Sequence, residues 1–218
     1  HIVRNAAAAD AIVCSARRED GALVLVIVDR ALDGISMTRH PASGGETLWT
    51  IDFDGVAIAP ENVIGGNSIL AALERMVQRG AALKSCELVG IGQAALDLSV
   101  AYASGRKQFG VPIGSFQAVQ HHCAEMFRDV SVARLLARQA CACLDTTADA
   151  QREVSFAKAK ASEAIPRATR MAHQIHGAVG FYRDYPLELF YHRAIAAQAE
   201  FGGRLHHRKV LTDMLTNE

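Results

Sequence analysis

The sequence predicts an α+β chain: a partial antiparallel β domain over residues 1–66, then an antiparallel four-helix bundle over 67–218. Two changes along the chain carry that expectation. Up to about residue 66, short apolar runs alternate with turn residues, which is a strand pattern. From residue 69 onward the sequence is alanine-rich and holds only three prolines, which favours long helices.

In the first part, AIVCSAR (11–17) and ALVLVIVD (22–29) flank the polar Arg18-Glu19-Asp20-Gly21 and are expected to pair as a hairpin. GISMTRH (34–40) and TLWTIDFDGVAIAP (47–60) follow, the second with Trp49, Ile51 and Phe53 alternating against Leu48, Thr50 and Asp52. About four to six strands result. Gly65-Gly66-Asn67-Ser68 ends the pattern, with Asn67 or Ser68 available as a helix N-cap. Helices are expected at about 69–104, 115–144, 149–177 and 186–216, the second capped by Ser115. That second segment repeats Phe116, Val119, Cys123, Met126, Phe127, Val130 and Ala133 at the three-and-four spacing of a buried stripe. Pro166 is expected to kink the third. Helices well beyond the usual length of roughly 11–12 residues, joined by short links, point to an antiparallel bundle.

Composition narrows the function classes. Half of the residues are hydrophobic, and 23 Lys and Arg balance 23 Asp and Glu. The basic residues are dispersed, so nothing argues for a nucleic-acid partner. No apolar run approaches the roughly 20 residues of a membrane span, and the opening lacks the order of a signal peptide, so a cytoplasmic location is expected. The five cysteines lack CxxC spacing, so no metal site is expected, and they read as reduced core residues. The chain opens on His1 and enters a strand at once, which suggests further chain upstream.

Three segments carry chemistry. Arg106-Lys107-Gln108-Phe109-Gly110 lies in the first interhelical link, where a planar guanidinium beside a glycine turn and a helix N-terminus suits an anion; an ordinary charged loop has the same composition. Gln174-Ile175-His176-Gly177-Ala178-Val179-Gly180-Phe181 ends the third helix. Its two glycines let a ligand approach the backbone closely, or serve as C-caps, and His176 reads as a packed histidine. Glu200-Phe201-Gly202-Gly203-Arg204 interrupts the last helix, since a glycine pair there costs about 1 kcal/mol per residue relative to alanine. Glu200 beside that break is the candidate proton-abstracting base, against the alternative of a solvated surface glutamate.

Together and in order, YASGRKQFGVPIGSFQAVQ, QIHGAVGFYRDYPLE and the late Glu-Phe-Gly-Gly resemble the C-terminal part of the acyl-CoA dehydrogenase family, and VRNAAAADAIVCSAR resembles a strand of its β domain. The resemblance implies a noncovalent FAD and α,β-desaturation of an acyl-CoA. A glutamate takes the α-proton, the β-hydrogen passes to the flavin as hydride, and the electrons go on to an electron-transfer flavoprotein. It implies FAD contacts at Arg106, Gln108, Phe109 and Gln117 and at Gln174, Gly177 and Ala178, reached across a subunit interface in a homo- or hetero-oligomeric dimer or tetramer, and a further cofactor contact at Gly202. Glu200 would be the base, and Phe201 would narrow the thioester pocket or block it.

Three departures qualify this. The family's N-terminal helical domain and its flavin-cradling segment are absent, so a full active site is not expected from this chain. Where the common pattern is Glu-Gly-Thr-x-Gln, residues 201–204 differ. Some members carry the base on the first bundle helix, but the matching position here is Gly80. The ending Phe-Gly-Gly-x-x-His-His-Arg (201–208) is similar to an actinobacterial subgroup, some of which pair unlike subunits and act on steroid-derived CoA esters. Two alternatives follow: a non-catalytic partner subunit, or a member oxidising a non-CoA substrate.

Overall fold

The structure, a computed structural model, describes residues 2–66, 68–147 and 149–216. The chain is α+β and divides into two compact units, His1–Met76 and Val77–Glu218. The division falls about ten residues later than the sequence suggests, because it lies inside the first long helix and not at the glycines before it.

Among the described residues, the first unit holds two three-stranded antiparallel sheets. Strands β1 (Ile2–Arg4), β5 (Leu48–Phe53) and β4 (Ile35–His40) form one, in that order. Strands β2 (Ala11–Arg17), β3 (Leu23–Asp29) and β6 (Val63–Ile64) form the other. The expected hairpin is β2–β3, with Ala11 opposite Asp29 and Arg17 opposite Leu23. Its turn is closed where the Asp20 carboxylate accepts from the Ala22 amide and Gly21 takes a φ of 83°. Alternation puts Ile12, Val28 and Ile51 of the two sheets into one core with Ala6. The run expected at 47–60 is a strand only to Phe53, since Gly55 turns the chain with a positive φ and Pro60 opens a 3-10 turn.

Five α-helices are found among the described residues: α1 (Ile69–Gly105), α2 (Gln117–Thr146), α3 (Gln151–His176), α4 (Pro186–Ala197) and α5 (Arg204–Thr216). The expected fourth helix is thus two, broken at 198–203. Asn67 lies outside the described residues. Ser115 does not cap α2; its hydroxyl donates to the Pro112 carbonyl within a 3-10 turn, and Phe116 occupies the N-cap position. Helix α3 runs through Pro166 without ending.

Helix α3 is the hub of the second unit. Small residues such as Ala157, Ala161, Ala164, Ala168 and Ala172 are fully buried along it, which lets α2, α4 and α5 approach closely. Three apolar clusters join α1 and α2 to α3, built around Leu88, Val130 and Ile165, around Met126 and Leu187, and around Leu144 and Val154. Asp129 of α2, fully buried, is compensated by Arg167 and Lys160 of α3. Burial pulls its carboxyl upward, but those two cations outweigh that and hold it below the usual range. Among the described residues no helix is long and apolar enough to cross a membrane.

Candidate functional site

The three segments singled out in the sequence take three different forms. The first is a small hairpin after α1, made by β7 (Lys107–Gln108) and β8 (Val111–Pro112), with Gln108 opposite Val111. Its two turn residues, Phe109 and Gly110, both have positive φ, at 54° and 83°. Such a turn matches the twist of two antiparallel strands, and at Phe109 the cost of the left-handed conformation is borne by a bulky residue. Phe109 is 92% exposed, and its ring meets the edge of Phe116, centroid to centroid 6.1 Å. The Arg106 amide donates to the Tyr102 carbonyl, and the Ile113 amide donates back to that of Arg106, so the hairpin base is fixed at both strands. Arg106, Gln108 and Gln117 stand exposed around it, Gln117 in the first turn of α2. Local pairing therefore brings all four expected contacts of this segment to one exposed corner.

The second segment is the end of α3. Gly177 has φ 62° and ψ −139°, a conformation open only to glycine, and no atom lies within 4 Å of where a Cβ would stand. Gln174, Gly177 and Ala178 are exposed. Beside them is a cavity of about 310 Å³ lined by Arg170, His173, Gln174, Gly177, Phe181 and Tyr191. His176 is packed, as expected: Nδ1 donates to the Ala172 carbonyl at 2.7 Å, and the ring stacks on Tyr102. Burial pushes its pKa down.

The third segment, the turn between α4 and α5, is held from inside. Lys158 of α3 is fully buried, and its ammonium donates to the Ser162 hydroxyl and to the carbonyls of Gln198 and Gly202, at 2.8, 2.8 and 2.9 Å. These use all three ammonium protons. Burial still pushes the pKa down to about 8, with Lys84 adding repulsion and Glu200 opposing. His207 of α5 reaches the same turn: Nε2 donates to the Phe201 carbonyl at 3.0 Å, which leaves Nδ1 to accept from the Ser155 hydroxyl at 3.1 Å. Gly202 is required here, since φ is 91° and a Cβ would stand 2.5 Å from the His206 ring. Its carbonyl is committed to Lys158, so the cofactor contact expected at Gly202 has only the remaining edge of a tightly packed turn to offer.

Glu200 and Phe201 point to different places. The Glu200 side chain is 1% exposed; Oε2 lies 2.8 Å from Lys84 Nζ and Oε1 4.0 Å from Arg193 Nη1. Lys84 and Arg193 also pair with Glu87, forming a four-residue charge cluster between α1 and α4. Burial raises the Glu87 carboxyl, but hydrogen bonds from Arg193 and Lys84 prevail and hold it low. Phe201 turns the other way, with φ 53° and a ring 41% exposed lying on Gly80 of α1, where an added Cβ would stand 2.3 Å from the ring. Of the two sequence alternatives for Glu200, the solvated surface carboxylate does not hold, since the side chain is buried beside a lysine and an arginine. Lys84, Lys158, Arg193 and His207 were not legible as site residues. The available signal was Lys158, which shares the buried spacing of Val154, Ala161 and Ile165 on α3.

Comparisons with known proteins identify the family of this chain. Residues 70–213 match the family model for the acyl-CoA dehydrogenase C-terminal domain. A probable acyl-CoA dehydrogenase of Bacillus subtilis (strain 168) is 46% identical over 100 residues, covering 46% of this chain and 26% of that protein. An acryloyl-CoA reductase (NADH) of Anaerotignum propionicum is 32% identical over 85% of this chain and 48% of its own length. The solved glutaryl-coenzyme A dehydrogenase–glutaryl-CoA complex superposes with a TM-score of 0.93 at 28% identity, covering 99% of this chain and 57% of that one. The chain thus spans between about a quarter and a half of the curated relatives it matches. With its helical unit matched almost end to end, the chain belongs to the acyl-CoA dehydrogenase family, of which it carries the C-terminal domain.

Proposed function

We propose that this chain is the C-terminal part of a subunit in an FAD-dependent acyl-CoA dehydrogenase assembly, in which it supplies flavin contacts across a subunit interface. The observation that carries the reading is the pair of exposed, locally rigid segments. A strained hairpin presents Arg106, Gln108 and Phe109 beside Gln117, and the end of α3 presents Gln174, Gly177 and Ala178 beside open space. Both fit a flavin nucleotide: the guanidinium suits a pyrophosphate, an exposed aromatic suits stacking on an adenine, and a glycine without neighbours admits close backbone approach. When bound, FAD supplies the acceptor for the β-hydrogen of an acyl-CoA, with an electron-transfer flavoprotein as the onward acceptor. Relatives named for dehydrogenation and for reduction share this domain, so its residues do not fix the direction.

The base is a separate matter, and Phe201 favours the non-catalytic partner reading. Two positions from which a carboxylate can reach one α-proton must converge in space. The residue that converges on Gly80 is Phe201, while Glu200 turns into its cluster with Lys84 and Arg193. Glu200 lies 2.8 Å from the Lys84 ammonium, a partner it would have to leave before it could reach a substrate proton. On this reading Glu200 anchors α4 to α1, and the proton-abstracting carboxylate belongs to an unlike subunit.

The test uses the full-length protein with its co-purifying partner. Arg106→Ala and Gln174→Ala are expected to lower FAD occupancy, read from the visible spectrum, by tenfold or more at equal protein. Normal occupancy in both would remove the flavin-contact reading. Glu200→Gln combined with Lys84→Met removes both charges without orphaning either. It is expected to keep FAD and to keep any bleaching of the flavin by acyl-CoA; lost bleaching with FAD intact would return the base to Glu200.

A further inference from the structure

Cys86 on α1 and Cys141 on α2 lie side by side, their Sγ atoms 3.7 Å apart although 55 residues separate them in sequence. The expectation that the cysteines are core residues does not hold for this pair: Cys86 is exposed and Cys141 half-buried. The helices carrying them are fixed to one another close by, where Ala81 and Ala82 of α1 share an apolar cluster with Ala140 and Leu144 of α2, Cys141 packing against its edge. Two thiols held at this separation by a packed core, and open to solvent on one side, have about 1.7 Å left to close to the bonding distance of about 2.0 Å.

We infer that Cys86 and Cys141 form a thiol–disulfide site, closed by exchange with a small disulfide of the glutathione class to a reversible bond that staples α1 to α2. The Cys86 thiolate attacks oxidised glutathione, forming a mixed disulfide and releasing one glutathione. The Cys141 thiolate then displaces the second. One sulfur–sulfur bond forms within the chain, two S–H bonds are lost, and the two electrons and two protons leave on two glutathione thiols. Partial burial and the hydrogen bond to Cys141 push the Cys86 thiol up to about 11, so it rests protonated near neutrality and only a small fraction is attacking thiolate. Closure then accelerates about tenfold per pH unit as the attacking thiolate fraction grows.

The staple closes a long loop, beside the cluster formed by Lys84, Glu87, Arg193 and Glu200. Cys86 is the residue just before Glu87 in α1. Oxidation therefore fixes the helix that carries the cluster without touching the exposed hairpin or the end of α3.

The experiment is native incubation of the full-length protein with oxidised glutathione at pH 7 and pH 8, quenching with an alkylating reagent, intact-mass measurement and peptide mapping. The expected result is loss of two hydrogens, a Cys86–Cys141 cross-linked peptide, reversal by dithiothreitol, and a rate about tenfold higher at pH 8. Cys86→Ser should abolish the cross-link and Cys143→Ser should leave it. A glutathione adduct that persists on Cys86, or a cross-link equally abundant through Cys143, would overturn the assignment.

Discussion

His207 is buried at 2% exposure between the Ser155 hydroxyl and the Phe201 carbonyl, and desolvation drives its pKa down to about 4. The Phe201 hydrogen bond opposes that shift, while His206 and Lys158 add to it. Because the folded value lies below the ordinary 6.5, the unfolded chain takes up the proton first as pH falls. Stability from this residue is therefore complete above about 6.5 and is lost progressively down to about 4, by roughly 3 kcal/mol in all. Urea denaturation of the full-length protein at pH 7 and pH 4.5 should show that loss, and His207→Gln, which keeps a donor for the Phe201 carbonyl, should flatten it. An unchanged pH dependence in the variant would mean that other groups carry the acid sensitivity. None of this was legible from the residues His206-His207, because a histidine reports nothing about its burial until the turn that covers it is known.

At the scale of elements, the turn between α4 and α5 separates what the sequence could say from what it could not. Gly202-Gly203 announced a break, yet helical composition on both sides suggested one long helix with an interruption. The chain actually stops α4 at Ala197 and restarts α5 at Arg204, because Phe201 and Gly202 both adopt positive φ and three carbonyls of the turn are taken by Lys158 and His207. Those donors come from other parts of the fold, which a local pattern does not contain. The hairpin β2–β3 and the spacing along α2 were legible for the opposite reason: alternation and the three-and-four repeat are properties of the element itself. Ser115 misled because a serine before a helix caps only if its hydroxyl faces the helix amides, and here it faces Pro112. The turn yields its own prediction. Gly202→Ala would put a Cβ 2.5 Å from His206 and 2.9 Å from His207 in a conformation unfavourable to L-residues. It should cost about 2 kcal/mol or more in chemical denaturation, whereas Gly21→Ala, with φ 83° and nothing within 4 Å, should cost about 1 kcal/mol from backbone strain alone. Equal losses would mean that the packing of the α4–α5 turn is not what demands glycine.

For the molecule as a whole, the informative pattern is that well-buried charges are compensated within the fold while the segments proposed to meet a flavin are exposed. Asp129, Lys158 and Glu200 are each compensated inside the second unit, but Arg106, Gln108, Phe109, Gln117, Gln174 and Ala178 all face solvent. The overall charge is balanced at 23 against 23, so no broad field holds an anionic ligand; such contacts act only where a second surface meets them. If each flavin is shared between subunits, then binding and assembly are one equilibrium, and the occupied fraction must follow protein concentration even with FAD in excess. Dilution of the full-length assembly from micromolar to nanomolar concentration should therefore release FAD and lower the assembly mass together. The matched readouts are flavin fluorescence and single-particle mass measurement. Arg106→Ala should move both transitions to higher concentration, because the contact it removes is counted in both. Flavin retained on dissociated subunits would place the whole cofactor site within one chain, and would leave the exposed hairpin with some other surface to meet.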